Sequence, residues 1–154
     1  MNTFLLVANA ADAVSGARIP ADVMVRRRLS AGQWPLYQNT PHQKEMSEGD
    51  SAIIYLAGPK QMKFAAIAKI ERITSAKNFI ADGDDVLTAS PVQMILLSEQ
   101  RWFNEPVSIH AIMPQLNFVP KGTIKWGCVL QRGVKKISAA DAKIILDRAL
   151  SKVG

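Results

Sequence analysis

The chain is poor in the residues that form disulfides and metal centres. Of its 154 residues only one is a cysteine, Cys128, and only two are histidines, His42 and His110. A single cysteine cannot form an intramolecular disulfide, and two histidines far apart in the sequence do not supply the ligand set of a metal site. We therefore expect no metal site and no cofactor, and we expect Cys128 to be buried and unreactive.

Long hydrophobic runs are also missing. Every apolar stretch is interrupted well before the roughly 18–20 residues that are needed to cross a bilayer. Residues 1–14, MNTFLLVANAADAV, lack the basic segment and the long apolar core of a secretory signal peptide. Together with the single cysteine, these absences predict a protein of the reducing cytoplasm that has no membrane partner.

The sequence motifs of common enzyme classes are absent. The chain has no Gly-x-Gly-x-x-Gly, no Walker A motif, no Gly-x-Ser-x-Gly and no paired carboxylates in a plausible pocket loop. The acidic segment ADGDD at 81–85 lacks the ligand positions of a calcium loop and is expected to be a solvated turn. We therefore expect a binding protein rather than an enzyme.

What the chain does contain is a large apolar fraction and an excess of positive charge. With 48% hydrophobic residues, residues 1–154 are enough for one domain with a substantial core. The formal net charge is +6, with basic residues spread along the chain rather than gathered in a tail. This balance favours a polyanionic partner through phosphate attraction, although a solvated basic surface explains it equally well.

Hydrophobic patterning predicts an α+β domain. Pro20 opens a short helix over 20–31 that ends at Gly32. A C-terminal helix follows Ser138 as N-cap, with an apolar face made of Ala142, Ile145, Leu146, Ala149 and Leu150. Strands are expected at 3–10, 51–58, 62–74 and 92–103, although the alanines of 62–74 would also tolerate a helix. Further strand is expected over 123–137, divided at Trp126-Gly127 and again at Gly133, after an irregular or short-helical bridge at 104–122. This arrangement predicts a curved or barrel-like sheet with short helices beside it.

The segment QWPLYQNTPHQKEMSEGD at 33–50 has no helical or alternating period and is expected to be an ordered loop or an irregular helix. Its large aromatic side chains need a partner, because exposed apolar area costs roughly 25 cal/mol per Å². Two interpretations of Trp34 fit the sequence. In one it packs under the helix at 20–31 as part of the core, and in the other it lines a ligand pocket.

An ordered series of short sequences resembles the EVE domain, a member of the PUA-like superfamily. The series begins at Trp34 with WPLY and a polar stretch, continues with MSEGDSAIIYLAG and FAAIAKI, and ends with ISAADAKIIL in the C-terminal helix. The resemblance implies a small PUA-like barrel of about five to six mostly antiparallel strands flanked by short helices. It also implies an aromatic pocket that accepts a nucleobase, in known cases a modified one, flipped out of a nucleic acid.

Carried over to this sequence, the resemblance assigns Trp34 to the tryptophan that opens the pocket segment and Tyr55 to the aromatic residue that ends the strand after Gly-Asp. Tyr37 and Trp102 are further candidates for the aromatic wall, although packing roles explain Tyr55 and Trp102 as well. The amide and hydroxyl groups that follow Trp34 are suited to reading a base edge, and they belong to Gln38, Asn39 and Thr40. The sequence YQNTPHQ departs from the Asn- and Arg-containing stretch of many members, which leaves the identity of the base open.

The sequence thus predicts a nucleic-acid-binding module, for DNA or RNA, with a basic rim around the pocket. The residues expected to contact the phosphate backbone are Arg26, Arg27, Arg28, Lys60 and Lys63. On this hypothesis Trp34→Ala removes base-dependent binding and leaves the fold largely intact. The alternative is a non-catalytic module that binds a small molecule or a protein, whose basic charge is incidental.

Overall fold

The computed structural model describes residues 1–87, 89–119, 130 and 133–151. Within these ranges the strands are β1 (Thr3–Ala8), β2 (Ala11–Ala13), β3 (Arg18–Ile19), β4 (Gln33–Leu36), β5 (Ser51–Leu56), β6 (Lys63–Ser75), β7 (Val86–Leu87), β8 (Gln93–Ser108) and β9 (Val134–Ile137). The α-helices are α1 (Ala21–Ala31), α2 (Ile109–Ile112) and α3 (Ala139–Ser151). None of the described helices has the length and apolar character needed to span a membrane.

Six of the strands form one sheet in the order β4-β8-β6-β5-β1-β9, and β3-β2-β7 form a second, small sheet. In the large sheet only β1 and β5 run parallel, while the other described pairs are antiparallel. The register shifts once between β5 and β6 and three times between β6 and β8. Such irregularities bend a strand and increase its twist, and here they accompany the curling of the sheet.

Each face of the large sheet carries a buried core. Along β1, Phe4 and Leu6 point into a core that includes α1, whereas Leu5 and Val7 point into a second core that includes residues of α2 and α3. Successive side chains of a strand alternate between faces, so a strand covered on both sides is apolar throughout. This explains the continuous hydrophobic run at the N-terminus.

The C-terminal helix is confirmed at its first turn. The backbone N–H of Asp141 donates to the hydroxyl of Ser138 at 3.1 Å, as expected for an N-cap. The carboxylate of Asp141 accepts hydrogen bonds from the backbone N–H groups of Asn117 and Phe118 at 2.8 and 3.1 Å, which ties the helix to the segment before it. The predicted apolar face was wrong at Leu150, which is exposed.

Two segments differ from the sequence prediction. Part of the bridge expected at 104–122 is strand, because β8 continues to Ser108 by pairing with β6. The start of the segment 33–50 is also a strand, since β4 pairs with β8 and places Trp34 opposite Ile95. Of the segment predicted as strand at 123–137, residues 134–137 form β9; the predicted division at Trp126-Gly127 and the predicted burial of Cys128 lie outside the described residues.

Candidate functional site

A cavity of about 910 Å³ opens beside Trp34, and we call it the Trp34 cavity. Its volume lies within the range of about 300–1,000 Å³ that is usual for ligand pockets. The wall combines the end of β1, one side of α1, strand β4 with the turn after it, and the segment before β8. The polar or large side chains among its lining residues are Asn9, Met24, Arg28, Trp34, Tyr37, Gln38, Asn39, Thr40 and Ser90.

The backbone around Gly32 sets the direction in which Trp34 enters this wall. Gly32 ends α1 in the left-handed conformation, with φ +67°, and its N–H closes the last turn on the carbonyl of Leu29 at 3.1 Å. Its own carbonyl accepts from Leu97 of β8 at 2.9 Å, so that β4 starts on the edge of the sheet. A glycine tolerates this conformation without strain, which explains its position between helix and strand.

Trp34 and Arg28 are two buried members of the wall that lie against each other. Trp34 is only 2% exposed and belongs to the core beneath α1, together with Val25 and Leu29. The guanidinium carbon of Arg28 lies 4.7 Å from the centroid of the Trp34 ring, which is a cation–π arrangement. Trp34 is therefore both a core residue and a lining residue, so each of the two interpretations from the sequence holds in part.

Arg28 is held from its other side by an aspartate that the sequence placed in a solvated turn. Its Nε donates to Oδ1 of Asp82 at 2.7 Å and its Nη2 donates to Oδ2 at 3.2 Å. The two side chains are only 11% and 5% exposed. This corrects two expectations, because the acidic segment is not simply solvated and Arg28 is not a surface contact for phosphate.

Arg27 forms a second, more exposed ion pair with the same turn, and we call this pair the Arg27 clasp. Its Nη1 and Nη2 donate to the two carboxylate oxygens of Asp85 at 2.8 and 3.0 Å. These hydrogen bonds lower the pKa of Asp85 and raise the pKa of Arg27. Gly83 lies beneath the clasp, where a Cβ would approach Asp85 Oδ1 to 3.0 Å and Arg27 Nη1 to 3.3 Å.

The other predicted phosphate contacts lie outside the cavity wall. Arg26 is exposed and pairs with Asp22 one turn away at 2.9 Å. Lys60 lies exposed in the turn between β5 and β6, and the half-buried Lys63 begins β6. This turn is linked to the start of α1 through the hydrogen bond from Gln61 to Asp22 at 3.3 Å. The structure therefore brings none of these three cations into the wall itself.

The turn after β4 forms the polar part of the rim. The hydroxyl of Thr40 accepts from the backbone N–H of Tyr37 at 2.9 Å, and Nε2 of Gln43 donates to the carbonyl of Thr40 at 3.0 Å. These bonds fix the turn from within. The side chains of Gln38 and Asn39 are exposed, and neither has a hydrogen-bond partner among the described residues. Their amide groups are thus available to a ligand.

Tyr55 and Trp102 are not part of this cavity, contrary to the sequence prediction. Tyr55 is 2% exposed in the core on the opposite face of the sheet, where its ring lies 5.0 Å from that of Phe64. Trp102 is 44% exposed and lines a separate groove with Arg26 and Gln100. The alternation of side chains along β5 is the physical reason for the first correction, because neighbouring residues point to opposite faces.

The burial of Tyr55 leads to a pH-dependent stability. Burial raises the pKa of this phenol to about 12, whereas a tyrosine of the unfolded chain ionises near pH 10. As the pH rises from about 10 to 12, the unfolded state loses this proton first, and this group is expected to lower the free energy of unfolding by up to about 2–3 kcal/mol.

Urea unfolding across this pH range tests the assignment of Tyr55 to the core. In Tyr55→Phe, stability is expected to fall less steeply with pH than in the wild type. The matched control is Tyr37→Phe, which changes the only other tyrosine, at the rim. Equal slopes for the wild type and Tyr55→Phe would contradict the assignment.

Several lining residues had no signal in the sequence. Asn9 and Ser90 come from segments that are distant along the chain, and Met24 has the pattern of an ordinary buried helix residue. Asp82, which fixes Arg28 although it does not line the cavity, is separated from Arg28 by 54 positions. The arginine triplet and the acidic turn are both visible in the sequence. Which arginine pairs with which aspartate is not.

Comparison with known proteins identifies one family. The sequence model of the EVE domain matches residues 21–148. Among curated proteins, no sequence matches this chain. The matching solved structures include the human THYN1 protein in complex with DNA that contains 5-methylcytosine; its TM-score is 0.62 at 11% sequence identity, over 97% of this chain and 98% of that one.

Two further structures agree over nearly their whole length. A hypothetical protein from Leishmania major has a TM-score of 0.63 at 16% identity and covers 100% of this chain and 98% of its own. Rpa0253 from Rhodopseudomonas palustris has a TM-score of 0.57 at 17% identity, over 98% of this chain and 94% of its own. At such low sequence identities the structures are evidence for the fold alone. They confirm the predicted PUA-like α+β architecture with its curved sheet and C-terminal helix.

Proposed function

This chain belongs to the EVE domain family, and from that premise we propose that it is a binding module that accepts one nucleobase of a nucleic acid in the Trp34 cavity. The observation that carries the proposal is the cavity itself. It is lined by the aromatic ring of Trp34, by Arg28 packed against that ring, and by the exposed amide groups of Gln38 and Asn39. The complex of human THYN1 with DNA containing 5-methylcytosine supports nucleic acid as the ligand class.

The chemistry of the wall suits a base taken out of its stack. Removal of a base from a duplex costs a few kcal/mol, and contact with aromatic side chains returns roughly 1–3 kcal/mol per base. In this cavity the half-buried Tyr37 offers the aromatic surface, and the buried Trp34 forms part of the wall beside it. Gln38 and Asn39 each carry a carbonyl acceptor and an amide donor, which is the pair of groups needed to read a base edge.

The phosphate backbone is expected to contribute a separate, salt-dependent attraction. The net charge of +6 favours association with a polyanion. Arg26, Lys60 and Lys63 lie outside the cavity wall, and we propose that they contact phosphates on either side of the bound base. Such contacts position a strand without reading its sequence.

Fluorescence anisotropy with labelled strands tests the proposal. The strands are short and carry one central base between abasic positions, and the central position is in turn cytosine, 5-methylcytosine, 5-hydroxymethylcytosine or abasic. We expect tighter binding when a base is present, and replacement of both Gln38 and Asn39 by alanine is expected to lower that gain about tenfold. Higher salt is expected to weaken all strands alike.

Gln100→Ala is the matched control, because this glutamine lies in the separate groove beside Trp102. It is expected to leave the gain from the base unchanged. If the abasic strand binds the wild type as tightly as every base-containing strand, the cavity does not accept a base. Binding of a small molecule or a protein would then be the alternative function of this scaffold.

A further inference from the structure

We infer that Arg28 selects the base, by donating a hydrogen bond from Nη1 to a carbonyl oxygen on the base edge, and that Asp82 is the residue that positions it. The inference rests on the proposed function, because it concerns the ligand of the same cavity. It assigns a preference for bases that carry a carbonyl group, namely cytosine, thymine, uracil and guanine, over adenine, which has none.

The hydrogen bonds of Arg28 leave one nitrogen unassigned. Nε and Nη2 are engaged by the two oxygens of Asp82, at 2.7 and 3.2 Å. Nη1 has no acceptor among the described residues, although Arg28 lines the cavity. In the described part of the chain, no fully buried side-chain nitrogen or oxygen lacks a hydrogen-bond partner, so Nη1 is not fully buried. It is therefore a donor that is open to a ligand.

The orientation of this donor is fixed on two sides. The carboxylate of Asp82 holds one edge of the guanidinium, and the Trp34 ring lies 4.7 Å from its central carbon. A planar guanidinium that is held at an edge and at a face has little freedom left to rotate. The free N–H group is consequently presented in one direction before any ligand arrives, which reduces the entropy lost on binding.

Arg28 also differs chemically from the rest of the wall. The amides of Gln38 and Asn39 turn either a donor or an acceptor toward a ligand, so they match many base edges. A guanidinium donates only and carries a positive charge, so it favours an acceptor oxygen and disfavours an amino group at the same place. Arg28 is the one side chain with a permanent charge among the described lining residues.

The test uses strands with one central base between abasic positions, now comparing cytosine, thymine, guanine, adenine and no base. In the wild type we expect the bases with a carbonyl group to bind about tenfold more tightly than adenine. In Arg28→Lys we expect this difference to be lost. A lysine has a single nitrogen, which Asp82 engages, and it presents no second donor in a fixed direction.

The outcomes separate the two ideas. If the wild type prefers bases to the abasic position but binds adenine as tightly as cytosine, the role of Arg28 is overturned and the base pocket stands. If Arg28→Lys keeps the wild-type preference, the role is overturned as well. If no base improves on the abasic strand, the proposed function itself has failed. The wild-type comparison decides the matter even where the variant does not fold.

Asp82→Asn tests the positioning role. Asparagine keeps the shape of the side chain but holds only part of the guanidinium edge. We expect the preference for carbonyl bases to shrink, while the abasic strand binds at least as tightly as it binds the wild type, because the variant carries one negative charge less. A merely structural role of Asp82 predicts instead that all strands lose affinity together, and that result would overturn the assignment.

Discussion

Replacement of Asp82 by alanine is expected to lower the free energy of unfolding by about 3–5 kcal/mol, because it leaves the charge of Arg28 without its buried partner. The ion pair lies almost entirely inside the protein, with Asp82 5% and Arg28 11% exposed. Its two hydrogen bonds connect α1 to the turn at 81–85, which comes 54 positions later in the chain. A loss of this size is a large fraction of the stability of an ordinary domain.

Urea unfolding of three variants tests this prediction. Asp82→Ala is compared with Asp85→Asn, which removes a charge from the neighbouring and more exposed pair with Arg27. The exposed pair is screened by solvent, so Asp85→Asn is expected to change stability little. The double replacement Arg28→Met with Asp82→Leu is expected to recover most of the lost stability, since two apolar side chains leave no unpaired charge. Equal effects of Asp82→Ala and Asp85→Asn would contradict the burial of the first pair.

Truncation of Trp34 to alanine is expected to cost about 3–5 kcal/mol of stability, because the indole is deeply buried and its removal leaves a hole in the core beneath α1. Only 2% of Trp34 is exposed, and it packs among residues of α1, β4 and β8. The sequence led us to expect that Trp34→Ala leaves the fold largely intact. The structure instead leads us to expect a large loss of stability. A milder variant, Trp34→Phe, retains an aromatic ring and is suited to binding experiments.

Thermal and urea unfolding of Trp34→Ala and Trp102→Ala compares how much each tryptophan contributes to the free energy of unfolding. Trp102 is 44% exposed, so its truncation is expected to change the free energy of unfolding by less than about 1 kcal/mol. Binding of a base-containing strand is expected to persist in Trp102→Ala, which lies outside the Trp34 cavity. Similar losses of stability in both variants would mean that Trp34 is not a core residue.

Local sequence was sufficient where a single element carries its own signal. The cap at Ser138 is visible as a serine three positions before an aspartate at the start of an amphipathic stretch, and the structure has the corresponding hydrogen bond. The buried strands β1 and β5 are visible as apolar runs with β-branched residues. The helix after Pro20 ends at Gly32 as expected.

Local sequence failed where a residue is defined by a distant partner. Strand β4 has no period of its own and exists because β8 pairs with it. Tyr55 follows Gly49 and Asp50 as the resemblance required, yet the alternation along β5 turns it to the face opposite Trp34. A motif fixes the order of residues along the chain, whereas the face of the sheet depends on the register of the whole strand.

The sequence by itself determined the family, the α+β class and the grouping of Trp34 with the turn that follows it, because these depend on residues close together in the chain or in a fixed order. Five predicted residues, Trp34, Tyr37, Gln38, Asn39 and Thr40, do line one cavity. Only the tertiary structure decided that Arg28 belongs to the same wall and that Asp82 neutralises it. Charges interact through space, and folding brings together residues whose separation along the chain leaves no pattern to read.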